Sequence, residues 1–167
     1  MQVILIGFMG SGKTTIGQLL ARTLATNHID LDEFIMQKAQ QSITEIFATK
    51  GETYFRQLEQ LYLKQTLQLP GVLSTGGGTP IIAPNAALLA RSKIPIVWLS
   101  TSIQTTFQRI QNDTSRPLVN DLDTTALIKL QKTRNPLYQA LANIIIPTDE
   151  LTPQQIVAQI QRQLKLA

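Results

Sequence analysis

The sequence predicts an α/β fold built on a five-stranded parallel sheet flanked by helices, and three observations carry that expectation. Short apolar runs rich in β-branched residues recur along the chain, each followed by a stretch with apolar residues at helical spacing. A glycine-rich connection, Gly7-Phe8-Met9-Gly10-Ser11-Gly12-Lys13-Thr14, joins the first run to the first helix. With 167 residues, 43% hydrophobic and 16% charged, the chain suits one globular domain spanning 1–167 with a sizeable core. Right-handed crossovers between parallel strands place a ligand site at the strands' carboxyl ends.

Val3 to Ile6 reads as the first buried strand, and Thr15 to Arg22 as the helix after it. Asn27 to Asp30 is a short second strand, followed by a helix over Asp32 to Ala39. Ser42-Ile43-Thr44-Glu45 has the form of a capping box opening another short helix. A longer helix is expected over Glu52 to Gln65, then a third strand at Val72 to Ser74 that runs into Gly76-Gly77-Gly78. Pro84 to Leu89 forms a short helix and Pro95 to Leu99 the fourth strand. Ser100 or Thr101 is positioned to cap the helix carrying Phe107 and Arg109. Between Gln111 and Asp123 the pattern breaks into polar residues, and helical spacing then resumes to Ala142. Asn143 to Ile146 is the fifth strand, and Thr152, as N-cap before Pro153, starts the last helix.

The glycine connection fits G-x-x-x-x-G-K-[ST] at every fixed position, between a strand and a helix as the motif requires. Gly7, Gly10 and Gly12 permit backbone conformations closed to residues with a Cβ, so that successive N–H groups turn inward. Those N–H groups and the helix N-terminus cradle a phosphate chain, and Gly10, Ser11, Gly12, Lys13, Thr14 and Thr15 are the expected ATP-binding residues. Lys13 reaches the β- and γ-phosphates, and Thr14 offers its hydroxyl to Mg²⁺. Asp30 and Asp32 stand at the next strand-to-helix junction, where two carboxylates can hold Mg²⁺ through water and accept a proton from a hydroxyl. The same pair also reads as an ordinary helix N-cap.

Other classes are set aside by composition. The net charge of +4 is mild, and no basic run with interleaved aromatics points to nucleic acid. Absence of cysteine removes disulfides, thiol catalysis and thiolate-bound metals. No apolar segment approaches the ~18 residues of a membrane span. A cytoplasmic monomer is expected. A guanine-specific Asn-Lys-x-Asp element is missing, as is an apolar run ending in a paired Asp-Glu of the hydrolytic type.

Behind the phosphate loop come Asp30-x-Asp32, Gly51-Glu52-x-x-Phe55-Arg56, Gly76-Gly77-Gly78, Arg116-Pro117-Leu118 and Arg134-x-Pro136-Leu137-Tyr138. In that order the set resembles the shikimate kinase family, from Val3 to Pro153. The resemblance implies a P-loop NTPase fold of the nucleoside-monophosphate-kinase type, with an acceptor-binding region over about 31–60 and a lid over about 111–123. It implies transfer of the γ-phosphoryl group of ATP to the 3-hydroxyl of shikimate, with Mg²⁺ as cofactor and shikimate and ATP as partners. It assigns catalysis to Lys13, Asp32 and Arg116, and the acceptor to Asp32, Arg56, Gly77, Gly78 and Arg134. Thr14 and, through water, Asp30 take the metal; Arg109, Arg116 and Pro153 complete the ATP site.

Blander readings stand beside these. Arg56 reads equally as a solvated helix residue paired with Glu52 and Glu59, Arg134 as a C-terminal cap, and the stretch around Arg116 as a surface loop. His28, the sole histidine, reads as structural. The alternatives to shikimate are a related P-loop kinase acting on another hydroxylated acid such as gluconate or on a nucleotide, or a catalytically silent nucleotide-binding module.

Overall fold

The structure, a computed structural model, describes residues 1–111 and 124–166. In chain order the elements are β1 (Val3–Ile6), α1 (Lys13–Thr23), β2 (His28–Asp30), α2 (Leu31–Ala39), α3 (Ile43–Thr66) and β3 (Val72–Ser74). A 3₁₀ turn over Thr79–Ile81 leads to α4 (Ala83–Arg91) and β4 (Ile96–Ser100). Then follow α5 (Ile103–Gln111), α6 (Thr124–Leu141), β5 (Ile144–Pro147) and α7 (Pro153–Leu164). The expected lid residue Arg116 lies outside the described residues.

The five strands form one parallel sheet in the order β2-β3-β1-β4-β5. Side chains alternate across a strand, and β1 is wholly buried, so its residues divide between two cores. Ile4 and Ile6 join Leu31, Phe55, Leu63, Trp98 and Tyr138 on one face. Val3 and Leu5 join Leu20, Val97, Ile146, Ile156 and Ile160 on the other, beneath α1 and α7. From β3 the chain crosses over β1 to β4, and the carboxyl ends of β1, β2 and β3 lie side by side.

The strands fall where the sequence places them, and most differences lie at helix starts. α1 begins at Lys13, because the loop residue Gly12 already occupies its N-cap with φ 89°. The two helices expected on either side of Gly51 form one run, interrupted there by φ 77° and ψ 172°. The capping box at Ser42 and Glu45 is formed, and so is the one at Thr152 and Gln155. α5 is capped by neither Ser100 nor Thr101. Ser100 ends β4, Thr101 meets Thr148 at 3.0 Å, and the Ser102 hydroxyl accepts from Thr105 N–H at 3.2 Å.

One close contact presses α1 onto the sheet. A Cβ at Gly17 would collide with the His28 imidazole and with the Ser74 hydroxyl. Ser74 Oγ donates to the Lys13 carbonyl at 3.0 Å, which commits its proton. His28 Nε2, 2.9 Å from the same oxygen, therefore acts as the donor to it, and a structural role for His28 stands. Among the described residues, no helix is long and apolar enough to cross a membrane.

Burial lowers the His28 pKa from its ordinary value of 6.5, against a smaller upward pull from Asp30 and Glu33. Below that ordinary value the unfolded chain takes up the proton before the folded one does. Stability is therefore full at neutral pH and falls as pH descends from the unfolded value toward the lowered folded one. Thermal melts between neutral and mildly acidic pH should show a steeper loss for the wild type than for His28→Gln.

Candidate active site

The carboxyl ends of β1, β2 and β3 open into a cavity of about 460 Å³. Gly10, Gly12, Lys13, Thr14 and Thr15 of the phosphate loop line it on one side. The N-terminus of α1 carries no side-chain cap and no acidic residue in its first turn, so its first-turn N–H groups favour an anion. Lys13 Nζ folds over its own loop, donating to the Gly7 and Phe8 carbonyls at 3.0 and 2.8 Å. Ser11, which shares the loop, is buried beside it.

Asp30 fills the helix-cap reading that the sequence offered. One carboxylate oxygen caps α2, accepting from the Asp32 and Glu33 N–H groups at 3.0 and 3.4 Å. The other accepts from the Thr14 hydroxyl at 2.9 Å, which ties the start of α1 to the end of β2. Asp32 also lines the cavity. Its carboxylate packs against Gly76, where a Cβ would stand 2.7 Å from Oδ1. Gly76 is thus a residue the sequence reading passed over in favour of its two neighbours.

Gly77 and Gly78 line the same cavity with Arg134. The Arg134 guanidinium lies 5.7 Å from the Phe8 ring centre, so it rests on a side chain of the phosphate loop. Its Nε is buried without a hydrogen-bond partner, an unmet donor beside an open cavity. Arg134 does not cap a helix C-terminus; it lies within α6 and reaches into the site.

Arg56 stands behind this wall. A Cβ on Gly78 would come within 3.1 Å of its guanidinium, which lines a neighbouring hollow of about 210 Å³ rather than the main cavity. The ion pairs anticipated with Glu52 and Glu59 are both present at 3.1 Å, yet they differ in kind. The Glu52 side chain is 65% exposed and that of Glu59 only 1%. Glu59 also accepts from the Thr79 hydroxyl at 2.8 Å and from Asn85 Nδ2 at 3.1 Å. One buried carboxylate therefore ties Arg56 to the turn after the glycines and to α4. The signal was present in sequence: Phe55, Glu59 and Leu63 recur every four residues, and all three are buried.

On the far side of the phosphate loop, Arg109 and Pro153 share a groove of about 190 Å³ with Ser11, Gly12 and Thr15. Arg109 donates to the Gly10 carbonyl and to the Thr148 carbonyl, each at 3.1 Å, bracing the loop against the end of β5. Of the expected ATP and acceptor residues, all but Arg116 are described, and all of those but Arg56 line the main cavity or the groove behind the phosphate loop.

Comparison with known proteins agrees with this geometry. A family model described as shikimate kinase matches residues 9–165. A shikimate kinase of Limosilactobacillus fermentum is 41% identical over 154 residues, which is 92% of this chain and 89% of that one. One from Macrococcus caseolyticus is 43% identical over 150 residues, covering 90% and 89%. The solved structure of shikimate kinase from Acinetobacter baumannii in complex with shikimate superposes with a TM-score of 0.89 at 34% identity, over 98% and 93% of the two chains. A gluconokinase from Sinorhizobium meliloti reaches 0.63 at 14% identity and shares the fold alone.

The two carboxylates on Arg56 should separate cleanly by mutation. Glu59→Ala strands a part-buried guanidinium and two further donors, and should cost on the order of 3 kcal/mol in urea unfolding. Glu52→Ala, which breaks the exposed pair, should cost less than about 1 kcal/mol.

Proposed function

The chain belongs to the shikimate kinase family, and from that membership we propose how its residues divide the work of the reaction. The activity is transfer of the γ-phosphoryl group of ATP to the 3-hydroxyl of shikimate, giving shikimate 3-phosphate and ADP, a step toward aromatic amino acids. The observation that carries the division is that one cavity is walled by an uncapped helix start on one side and by Asp32 and Arg134 on the other.

On this reading the amides of Gly10 to Thr15 hold the phosphate chain. Lys13 exchanges its loop carbonyls for phosphate oxygens, a trade of neutral acceptors for charged ones that favours the bound state. Arg109 and Pro153 take the adenine from the groove behind the loop. Asp32 faces the acceptor hydroxyl and either removes its proton or orients it. The hydroxyl oxygen attacks the γ-phosphorus, the bond to the β-phosphate oxygen breaks, and ADP departs with those electrons. Arg134, with its unmet Nε, receives the shikimate carboxylate, and Arg56 supports it from behind Gly78. Gly77 and Gly78 let the backbone approach the ring of the acceptor. The role of Arg116 and of a lid over 111–123 rests on the family resemblance alone: the guanidinium would meet charge developing on the transferring group.

Magnesium suits the donor set. The ion keeps several waters and takes one or two carboxylates together with phosphate oxygens, so no dedicated cage is needed. Among the described residues no cluster of three acidic or imidazole ligands exists, while the Thr14 hydroxyl and Asp30 meet at 2.9 Å on the cavity wall. When bound there the ion would neutralise charge on the phosphates.

Two measurements test the reading. In a coupled ADP-release assay, shikimate should be turned over and gluconate should not; turnover of gluconate alone would sink the assignment of the acceptor site. Asp32→Asn should lower kcat by about 100-fold or more while the Kd for ATP stays within about twofold. An unchanged rate would remove Asp32 from the chemistry.

A further inference from the structure

The phosphate loop and the acceptor wall meet at the backbone of Gly77, which has no side chain with which to hold its place. A Cβ there would lie 3.5 Å from the Gly7 carbonyl oxygen, 3.7 Å from the Met9 nitrogen and 3.7 Å from Arg134 Nη1. The carbonyls on either side are committed within the turn. Gly76 O accepts from Thr79 N–H at 3.1 Å, and Gly78 O accepts from Ile81 N–H at 3.3 Å. The Gly77 carbonyl is held from elsewhere. The hydroxyl of Tyr138, a fully buried side chain on α6, donates to it at 2.7 Å.

We propose that Tyr138 is a positioning residue for the acceptor, acting through the peptide that joins Gly77 to Gly78. That peptide is a rigid plane, and in its trans form the N–H of Gly78 points opposite to the carbonyl of Gly77. Drawing the carbonyl toward the buried phenol therefore fixes the direction of the Gly78 amide, on the residue that lines the main cavity and backs onto Arg56. A glycine pair has a wide choice of backbone conformations, so an external tether is what turns it into a defined surface. Tyr138 also stands one helical turn after Arg134, so a single helix sets both the tether and the guanidinium across from it.

The phenol is suited to the task. Its ring packs 5.9 Å from that of Trp98 on β4, which anchors it to the sheet. Burial pushes its pKa up to about 12, against the pull of Arg134, so it remains a donor throughout the working pH range.

The inference rests on the acceptor occupying this cavity, and the experiment separates the two ideas. Tyr138→Phe keeps the ring and removes only the hydroxyl; Arg134→Lys tests the acceptor site itself. Ile160→Val, in the opposite core layer, supplies a variant with lowered stability and an untouched Gly77. Tyr138→Phe should raise the KM for shikimate about tenfold, the scale of leaving one buried carbonyl unpaired, with the KM for ATP unchanged within about twofold. Ile160→Val should move neither constant. If Arg134→Lys raises the shikimate KM and Tyr138→Phe does not, Tyr138 is merely structural and the proposal falls with the acceptor site intact. Equal loss of affinity for shikimate and ATP in Tyr138→Phe overturns it as well. If neither variant alters the shikimate KM, the acceptor lies elsewhere, and both ideas fail together.

Discussion

The first turn of α1 is left without a side-chain cap, and the rest of the site is arranged around that unmet need. Other helices in the chain receive what α1 is denied: Asp30 caps α2, Ser42 caps α3 and Thr152 caps α7. An Asp or Ser at position 12 would satisfy the same N–H groups and remove their attraction for an anion. Gly12 instead takes φ 89°, a conformation that suits glycine and brings no competing acceptor. Positioning then falls to other contacts. Ser74 holds the Lys13 carbonyl and Asp30 holds the Thr14 hydroxyl, so the uncapped turn is fixed by the two strands beside it.

The wall opposite is made by subtraction. Gly76 leaves room for the Asp32 carboxylate and Gly78 for the Arg56 guanidinium, while Gly77 lies alongside the phosphate loop. At Gly76 and Gly78 the missing side chain brings a charged group closer than an alanine would fit without a shift. Such a surface has little rigidity of its own, which explains the density of tethers behind it. Glu59 reaches Thr79 and Asn85, and the Tyr138 hydroxyl reaches Gly77. These groups lie where water would otherwise compete, so each hydrogen bond constrains more than it would at the surface.

What could be read from the sequence follows the same division. The strands were legible because buried parallel strands are continuous apolar runs, and the capping boxes at Ser42 and Thr152 because their chemistry is local. The cap of α5 was not: Ser100, Thr101 and Ser102 offer three hydroxyls in a row, and the end of β4 with its Thr101–Thr148 contact decides among them. Asp32, Gly77, Gly78 and Arg134 were legible as motif residues and do line the cavity. Glu59 was read as half of a helix-surface ion pair, because a charged residue is ordinarily exposed. Its four-residue spacing with Phe55 and Leu63 is the signal that it is the buried member, and packing bears that signal out. Gly76 was passed over for a similar reason, since the carboxylate that excludes a Cβ there comes from α2, far away in sequence.

The two arginines proposed to serve the acceptor are not equivalent in their electrostatics, although the motif treats them as a pair. Arg56 arrives already neutralised, with Glu52 on its exposed side and Glu59 beneath it. Arg134 has no ion pair of comparable kind among the described residues, and its Nε is buried without a partner. On the proposed reading, a carboxylate entering the cavity meets Arg134 first as an uncompensated charge. Engaging Arg56 requires an exchange, and the exposed Glu52 pair is the one that yields at little cost, since such pairs contribute about 1 kcal/mol or less. Glu59 cannot be exchanged in the same way, because it would be left as a buried charge without its principal partner. The buried carboxylate thus keeps Arg56 against the back of Gly78 whether or not an acceptor is bound. On the proposed reading, Arg134 supplies the attraction and Arg56 a fixed direction against which the acceptor is aligned.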